Sequence, residues 1–430
     1  MKTQSDTTSK EENKASYSPQ HLRVCMHVLE IGRTDYRVLR EAAALREAGY
    51  DVSIVDVEPE HSRPPEEDFQ GIRLKHIVNP AWFSRTRFKP LFFVKMGWMI
   101  LRAVMVMLRT PADIYHAHDE NALAACYFVA RLRRKPLIFD AHELPLENNP
   151  NFTRWHRLTA LAKRIFAAAL PYCKGIIATS APTAGAIRQE YHVPDVTLVR
   201  NFPSYREVQR SDRLRQYLGL YQEVRIALFQ GYLQSNRGLN WLVQAAPLLD
   251  SNIVIVIMGR DQSGIKAQLE ALIAENKVAD RVKIIPAVPY AELLDWTASA
   301  DIGLTLVSPD YGKAGNVMLP NKLFEYLMAG LPIVASPSDA VSEFISTYDV
   351  GRLMDSLDPE NISKAINKML EDNAALMRMR RNGLEAAKNY LNWEKEKEHL
   401  LELYSRILGV QNKERGKGFH DNYLKKANVS

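Results

Sequence analysis

The chain has 430 residues, 46% hydrophobic and 25% charged, with 56 basic against 50 acidic side chains and a formal charge of +6. That composition suits a soluble protein of two or three domains and excludes collagen-like, coiled-coil and wholly disordered chains. Three widely spaced cysteines, Cys25, Cys126 and Cys173, exclude a disulfide scaffold and a cysteine-rich zinc module and point to a reducing compartment.

Residues 1–20 are polar, lack the apolar core of a signal peptide and read as a solvated tail. From His21 the order is strand (HLRVCMHVLE), loop (EIGRTDYR), helix (VLREAAALREAGY), strand (YDVSIVDVE), the unit of a parallel sheet. IRLKHIV, DIYHAHD, KPLIFDAHE, GIIATSA and VTLVRNFP continue it as strands, with helices between, to Pro203. Residues 204–224 are polar and weakly patterned, as a domain junction should be. A second series follows over 225–408: RIALFQG, NIVIVIMGRD, VKIIPAV, DIGLTLV, PIVAS and VGRLMD as strands, with C-terminal helices from Asn361. Residues 409–430 form a basic tail. The expected fold is α/β, two facing Rossmann-like doubly wound domains, with ligands beyond the carboxyl ends of the strands. No window is apolar enough for a transmembrane helix. The positive charges are spread out, and no nucleic-acid partner is expected.

The chain lacks G-x-G-x-x-G, the P-loop pattern and the G-x-S-x-G elbow. In GNVMLPNKLFEYLMAGLPIVAS, Pro320 opens a helix that Gly330 and Pro332 end. Backbone N–H groups near Gly315 and Asn316 suit a diphosphate. Lys322 and Glu325, three apart, share a face, either as a ribose and phosphate site or as a surface ion pair. In FQGYLQSNRG, Gly231 allows close backbone approach to a ligand and Arg237 can pair with phosphate, or the segment is a plain turn. HAHD (His116, His118, Asp119) and DAHE (Asp140, His142, Glu143) lie at strand ends facing the cleft. Spacing supplies no third ligand to make the histidines a metal site.

These segments, with GRD (Gly259–Asp261), NWEKEKEHLLELY and the Asp35-Tyr36-Arg37 loop, resemble the family 4 glycosyltransferases of the GT-B fold from about His21 to Leu408. The resemblance implies retaining, metal-independent and cofactor-free transfer from a nucleotide diphosphate sugar. It assigns His118 and Asp119 to the reacting centre. It assigns Gly231, Arg237, Asn316, Lys322 and Glu325 to the donor, with Glu325 on the ribose. Gly32, Arg33, Arg37 and His142 go to the acceptor side, a glycan or lipid-linked acceptor. Val317 stands where the family often has a second Glu, and Tyr232 where it often has a second phosphate-binding Arg; Lys322 then supplies positive charge. The other readings are a nucleotide-sugar-binding pseudoenzyme and a sugar-nucleotide epimerase.

Residues 82–110 carry six basic side chains, including Lys95, Arg102 and Arg109 at seven-residue intervals, and no acid. They read either as a peripheral contact with an anionic membrane, placing the protein at the inner face of the cytoplasmic membrane, or as a helix flanking the first sheet. Arg37 reads either as an acceptor-phosphate ligand or as a salt bridge fixing its loop.

Overall fold

Two parallel sheets organise the chain. The computed structural model describes residues 22–59, 63–79, 89–142, 156–261, 264–308, 315–316 and 319–409, with side chains at all of them except 79, 89–93 and 156–162. The first sheet has eight strands: β1 (Arg23–His27), β2 (Asp51–Pro59), β3 (Glu66–Phe69), β4 (Ile72–Asn79), β5 (Ile114–His118), β6 (Leu137–Ala141), β7 (Gly175–Ala178) and β8 (Thr197–Leu198). Their order is β3-β4-β2-β1-β5-β6-β7-β8, and only the β3–β4 pair is antiparallel. The second has six, all parallel: β9 (Arg225–Gln230), β10 (Ile253–Met258), β11 (Val282–Ile285), β12 (Ile302–Thr305), β13 (Ile333–Ala335) and β14 (Gly351–Leu353), in the order β11-β10-β9-β12-β13-β14.

Helices cross over between strands. In the first half they are α1 (Tyr36–Glu47), α2 (Lys89–Leu108), α3 (Asp119–Arg133), α4 (His156–Ala169) and α5 (Ala181–Tyr191). In the second they are α6 (Arg213–Leu218), α7 (Leu239–Ala245), α8 (Lys266–Glu275), α9 (Tyr290–Thr297), α10 (Lys322–Met328), α11 (Asp339–Tyr348), α12 (Pro359–Glu371), α13 (Asn373–Asn389) and α14 (Trp393–Leu408). Strands such as IVIVIM in β10 are buried along their whole length because helices cover both faces of the sheet. The domains are therefore doubly wound, as expected. Short, charged β3 (EEDF) has no apolar alternation and went unread; VTLVRNFP shrinks to the two residues of β8.

The last helix departs from the expected grouping. Trp393, Leu400, Leu403 and Tyr404 of α14 pack into the core formed by β1, β2 and α1, so α14 returns to the first domain. Arg200 grips Glu396 through backbone and guanidinium, and Trp393 N–H donates to the Pro203 carbonyl, fastening the crossing.

Helix α2 divides its apolar residues. Met99, Ala103, Val104 and Met107 are buried in the first core, so it does flank the sheet, while Val94, Trp98 and Leu101 stay exposed. Lys95 and Arg102 are half-buried and Arg109 is exposed; Trp82 to Phe88 lie outside the described residues. Among the described residues no helix is long and apolar enough to cross a membrane.

Candidate active site

At the carboxyl end of the second sheet, the placement of α10 begins with a missing side chain. A Cβ on Gly303 would fall 2.4 Å from the Tyr326 ring, so only glycine lets Tyr326 lie across β12. The buried Tyr326 hydroxyl accepts from Gln230 N–H (3.1 Å) and shares its proton between the Leu228 and Leu304 carbonyls. That pins α10 over the ends of β9 and β12. Gln230, the last residue of β9, then donates to Glu325 Oε2 and accepts from Thr297 Oγ1 (2.7 Å). Lys322 Nζ sits 3.5 Å from the centroid of the Phe229 ring. Gly231 turns at φ +130°, and a Cβ there would meet Lys322 Nζ at 3.6 Å.

Both ionisable groups of α10 are displaced by their setting. Burial pushes the Glu325 carboxyl above its usual range, against Gln230, Lys322 and Arg40. Burial pulls Lys322 well below its usual range, and the nearby Arg237 charge adds to this. An anion bound there would reverse the Lys322 displacement. The structure thus brings Gly231, Arg237, Lys322 and Glu325 together. Asn316 is exposed; residues 309–314 and 317–318, Val317 included, lie outside the described residues.

The facing cluster belongs to β5, β6 and α1. Arg37 is buried, and its guanidinium donates twice to Asp140 (2.8 Å each) and once to the Val199 carbonyl, with Glu41 one turn on at 3.1 Å. The salt-bridge reading of Arg37 therefore describes its contacts. Burial would raise Asp140, but Arg37 and His142 hold it well below the usual carboxylate range. Burial and Asp140 push Glu41 up to about 8.

His118 is fully buried, with Nδ1 3.2 Å from both Asp140 Oδ2 and His142 Nε2. Burial lowers its pKa, leaving a neutral ring that Asp140 orients. His142, the partly exposed imidazole, lies between Asp119 (Nδ1 to Oδ2, 3.2 Å) and Asp140 (Nε2 to Oδ2, 3.3 Å). Burial would lower it, but the two carboxylates raise it to about 10, so the ring is charged between them. Asp119, at φ +63°, also accepts from the His142 backbone N–H at 3.1 Å. Of the two residues assigned to the reacting centre, Asp119 contacts His142 and His118 is enclosed. Glu143 lies outside the described residues.

Gly32 and Arg33 turn another way. Gly32 N–H donates to Asp56, and Arg33 is bidentate to Glu67 (2.6 and 2.7 Å) while its guanidinium covers Phe69. They are tied to β2 and β3 rather than to Arg37 or His142. Donor atoms of Glu41, His116, His118 and Asp140 lie within 4.8 Å of one another, as do those of Asp56, Glu58 and His76. Either group has the ligand types for a metal, but Arg37 already supplies positive charge to the first.

Sequence reasoning passed over Gln230 although it stands inside FQGYLQ. Glu41 was not singled out, and Tyr404 entered only as the end of NWEKEKEHLLELY. Across the cleft, Tyr36 stacks on Tyr290 (centroids 4.7 Å apart). Arg40 donates to Asn201 and to the Phe202 carbonyl, close enough to Glu325 for their charges to interact.

Comparison with known proteins agrees in both halves. The model for Glycosyltransferase Family 4 matches residues 36–202, and that for Glycosyl transferases group 1 matches residues 210–386. D-inositol 3-phosphate glycosyltransferase 1 of Catenulispora acidiphila is 25% identical over 324 residues, 69% of this chain and 73% of that protein. Phosphatidyl-myo-inositol mannosyltransferase of Mycolicibacterium smegmatis is 23% identical over 90% of this chain and 94% of that protein. Among solved structures, sucrose-phosphate synthase from Thermosynechococcus elongatus aligns with a TM-score of 0.73 at 16% identity, over 91% of this chain and 100% of that one. Anabaena HepE in complex with UDP gives 0.68 at 15% identity, over 90% and 100%. Family matches in each half and two facing doubly wound domains lead to one assignment: the chain belongs to the family 4 glycosyltransferases and has the GT-B fold.

Proposed function

We propose that the protein transfers a sugar from a uridine or guanosine diphosphate sugar to a glycan or lipid-linked acceptor, with retention and without a metal. The observation that carries this reading is the placement on α10 of buried Lys322 and half-buried Glu325, the latter held by Gln230, opposite the Arg37–Asp140–His142 cluster. Glu325 would accept from the ribose hydroxyls, while Arg237 and Lys322 would meet the diphosphate. Departure of the nucleoside diphosphate builds negative charge, which fixed cations stabilise. The C1–O bond to phosphate breaks as the acceptor oxygen bonds to C1 on the same face, and the acceptor proton passes to the leaving phosphate. His118 and His142 would position the sugar. Relatives named for D-inositol 3-phosphate and phosphatidyl-myo-inositol support an acceptor carrying phosphate. A lipid-linked acceptor would place the enzyme peripherally on the inner face of the membrane.

The test is incubation with UDP- and GDP-sugars, with and without acceptors, reading the anomeric configuration of the product by NMR. Transfer with retention is expected, and His118→Ala should slow it about 10²-fold. A sugar changed without acceptor would indicate an epimerase, and a bound but intact donor a pseudoenzyme.

A further inference from the structure

Away from the cleft, where β6 and β7 begin, lies a pocket of about 900 Å³ lined by Arg131, Arg134, Lys135, Lys174 and Arg406 together with Tyr172. Two of the five cations are matched: Lys135 by Asp113 at 3.1 Å and Arg406 by Asp195 at 3.2 Å. Arg131, Arg134 and Lys174 are exposed and have no side-chain partner among the described residues. The cations stand on a fixed frame. Tyr172 hydroxyl bonds to the Ala130 and Lys135 carbonyls, holding the end of α3, and Arg133 ties that end to the Leu108 and Thr110 carbonyls after α2.

Apolar side chains flank this charge. Phe128 and Leu132, four apart on α3, are 56% and 61% exposed on the last turns that carry Arg131, with Arg134 capping the helix. The neighbouring α2, without an acid, exposes Val94, Trp98 and Leu101 along one face, with Arg102 beside the Trp98 ring. Apolar side chains among unpaired cations suit a surface that is anionic outside and hydrocarbon beneath. The sequence after Gly409 is itself net basic (Lys413, Arg415, Lys417, Lys425 and Lys426 against Glu414 and Asp421), so it does not complement the pocket.

We propose that this pocket and the exposed faces of α3 and α2 form a docking surface for an anionic phospholipid bilayer. Headgroup phosphates are held by Arg131, Arg134 and Lys174, and Phe128 and Leu132 enter the acyl boundary. The surface identifies a partner face for the peripheral reading above, but it is measured without donor or acceptor. Its failure would leave the transferase reading standing, and failure of that reading would leave the surface untouched.

The test is co-sedimentation of the full chain with phosphatidylglycerol and with phosphatidylcholine vesicles. Binding only to the anionic vesicles is expected. Arg131→Gln/Arg134→Gln/Lys174→Gln should weaken it about tenfold or more. Phe128→Ser/Leu132→Ser should weaken it with the charges intact. All these side chains are exposed, and unchanged circular dichroism and melting temperature would confirm folding. Equal binding to both vesicle types, or wild-type binding by both variants, would overturn the proposal. So would inorganic pyrophosphate occupying the pocket without any vesicle binding, which would make it a site for soluble phosphate.

Discussion

The Tyr404 hydroxyl on the final helix lies 2.9 Å from His116 Nδ1, joining residues 288 positions apart. The His116 ring in turn stacks on His118 with centroids 4.3 Å apart. The returning helix thus supports the imidazole beneath the proposed reaction centre. Burial keeps His116 neutral, well below its usual pKa, and the hydroxyl is the hydrogen-bond partner of its Nδ1. Tyr404→Phe leaves Nδ1 buried without that bond. The variant should lose about 1–3 kcal/mol in urea unfolding. It should lower kcat while the Kd for nucleoside diphosphate stays unchanged, since the donor residues lie on the other domain.

Arg37 is the counter-charge for the buried Asp140 carboxylate, while Glu41 beside it is pushed up to about 8. Arg37→Ala strands Asp140, and breaking such a pair costs about 3–5 kcal/mol. Arg37→Lys restores charge without the bidentate geometry and should recover only part of the loss. Chemical denaturation of the three proteins checks the order. Donor affinity should hold in any folded variant while turnover falls.

His142 has its folded pKa raised to about 10 from 6.5. Stability from its pairing with Asp119 and Asp140 is therefore fully present below the ordinary histidine value and is lost as pH rises through about 10. His142→Gln removes it. The stability gap between wild type and variant should be widest in mild acid and shrink towards alkaline pH, as denaturant midpoints across the range would show. A gap independent of pH would mean His142 is neutral.

Glu325→Gln keeps the size and one acceptor oxygen but removes the charge. UDP or GDP binding, by calorimetry, should weaken about tenfold or more, or at least 1.4 kcal/mol. A 2′-deoxyribose donor should be discriminated by wild type and less by the variant. Unchanged affinity would return Glu325 to a structural partner of Gln230 and Lys322.

Much of this architecture is legible locally. Runs such as IVIVIM are apolar without alternation, as strands buried on both faces should be, so they announced the doubly wound sheets. Pro320 and Gly330 bracketed α10 because helix boundaries are set by nearby residues. The histidines were legible as strand-end residues, since HAHD and DAHE close β5 and β6, paired neighbours in the sheet. Donation from Gln230 to Glu325 was not, because it depends on Tyr326 settling over Gly303.

The sequence by itself determined two doubly wound units and the family resemblance, while the order of strands in each sheet came from the structure. The units and the resemblance rest on hydrophobic period and on motif order, both properties of neighbouring residues. Only the tertiary structure decided which charges are spent and which remain. Arg37 is consumed by Asp140 from 103 residues away and Arg33 by Glu67, whereas Arg131, Arg134 and Lys174 have no side-chain partner among the described residues. A residue type shows that a charge exists. Whether that charge is neutralised, buried or free depends on what other segments bring within a few ångströms, and no local pattern encodes that.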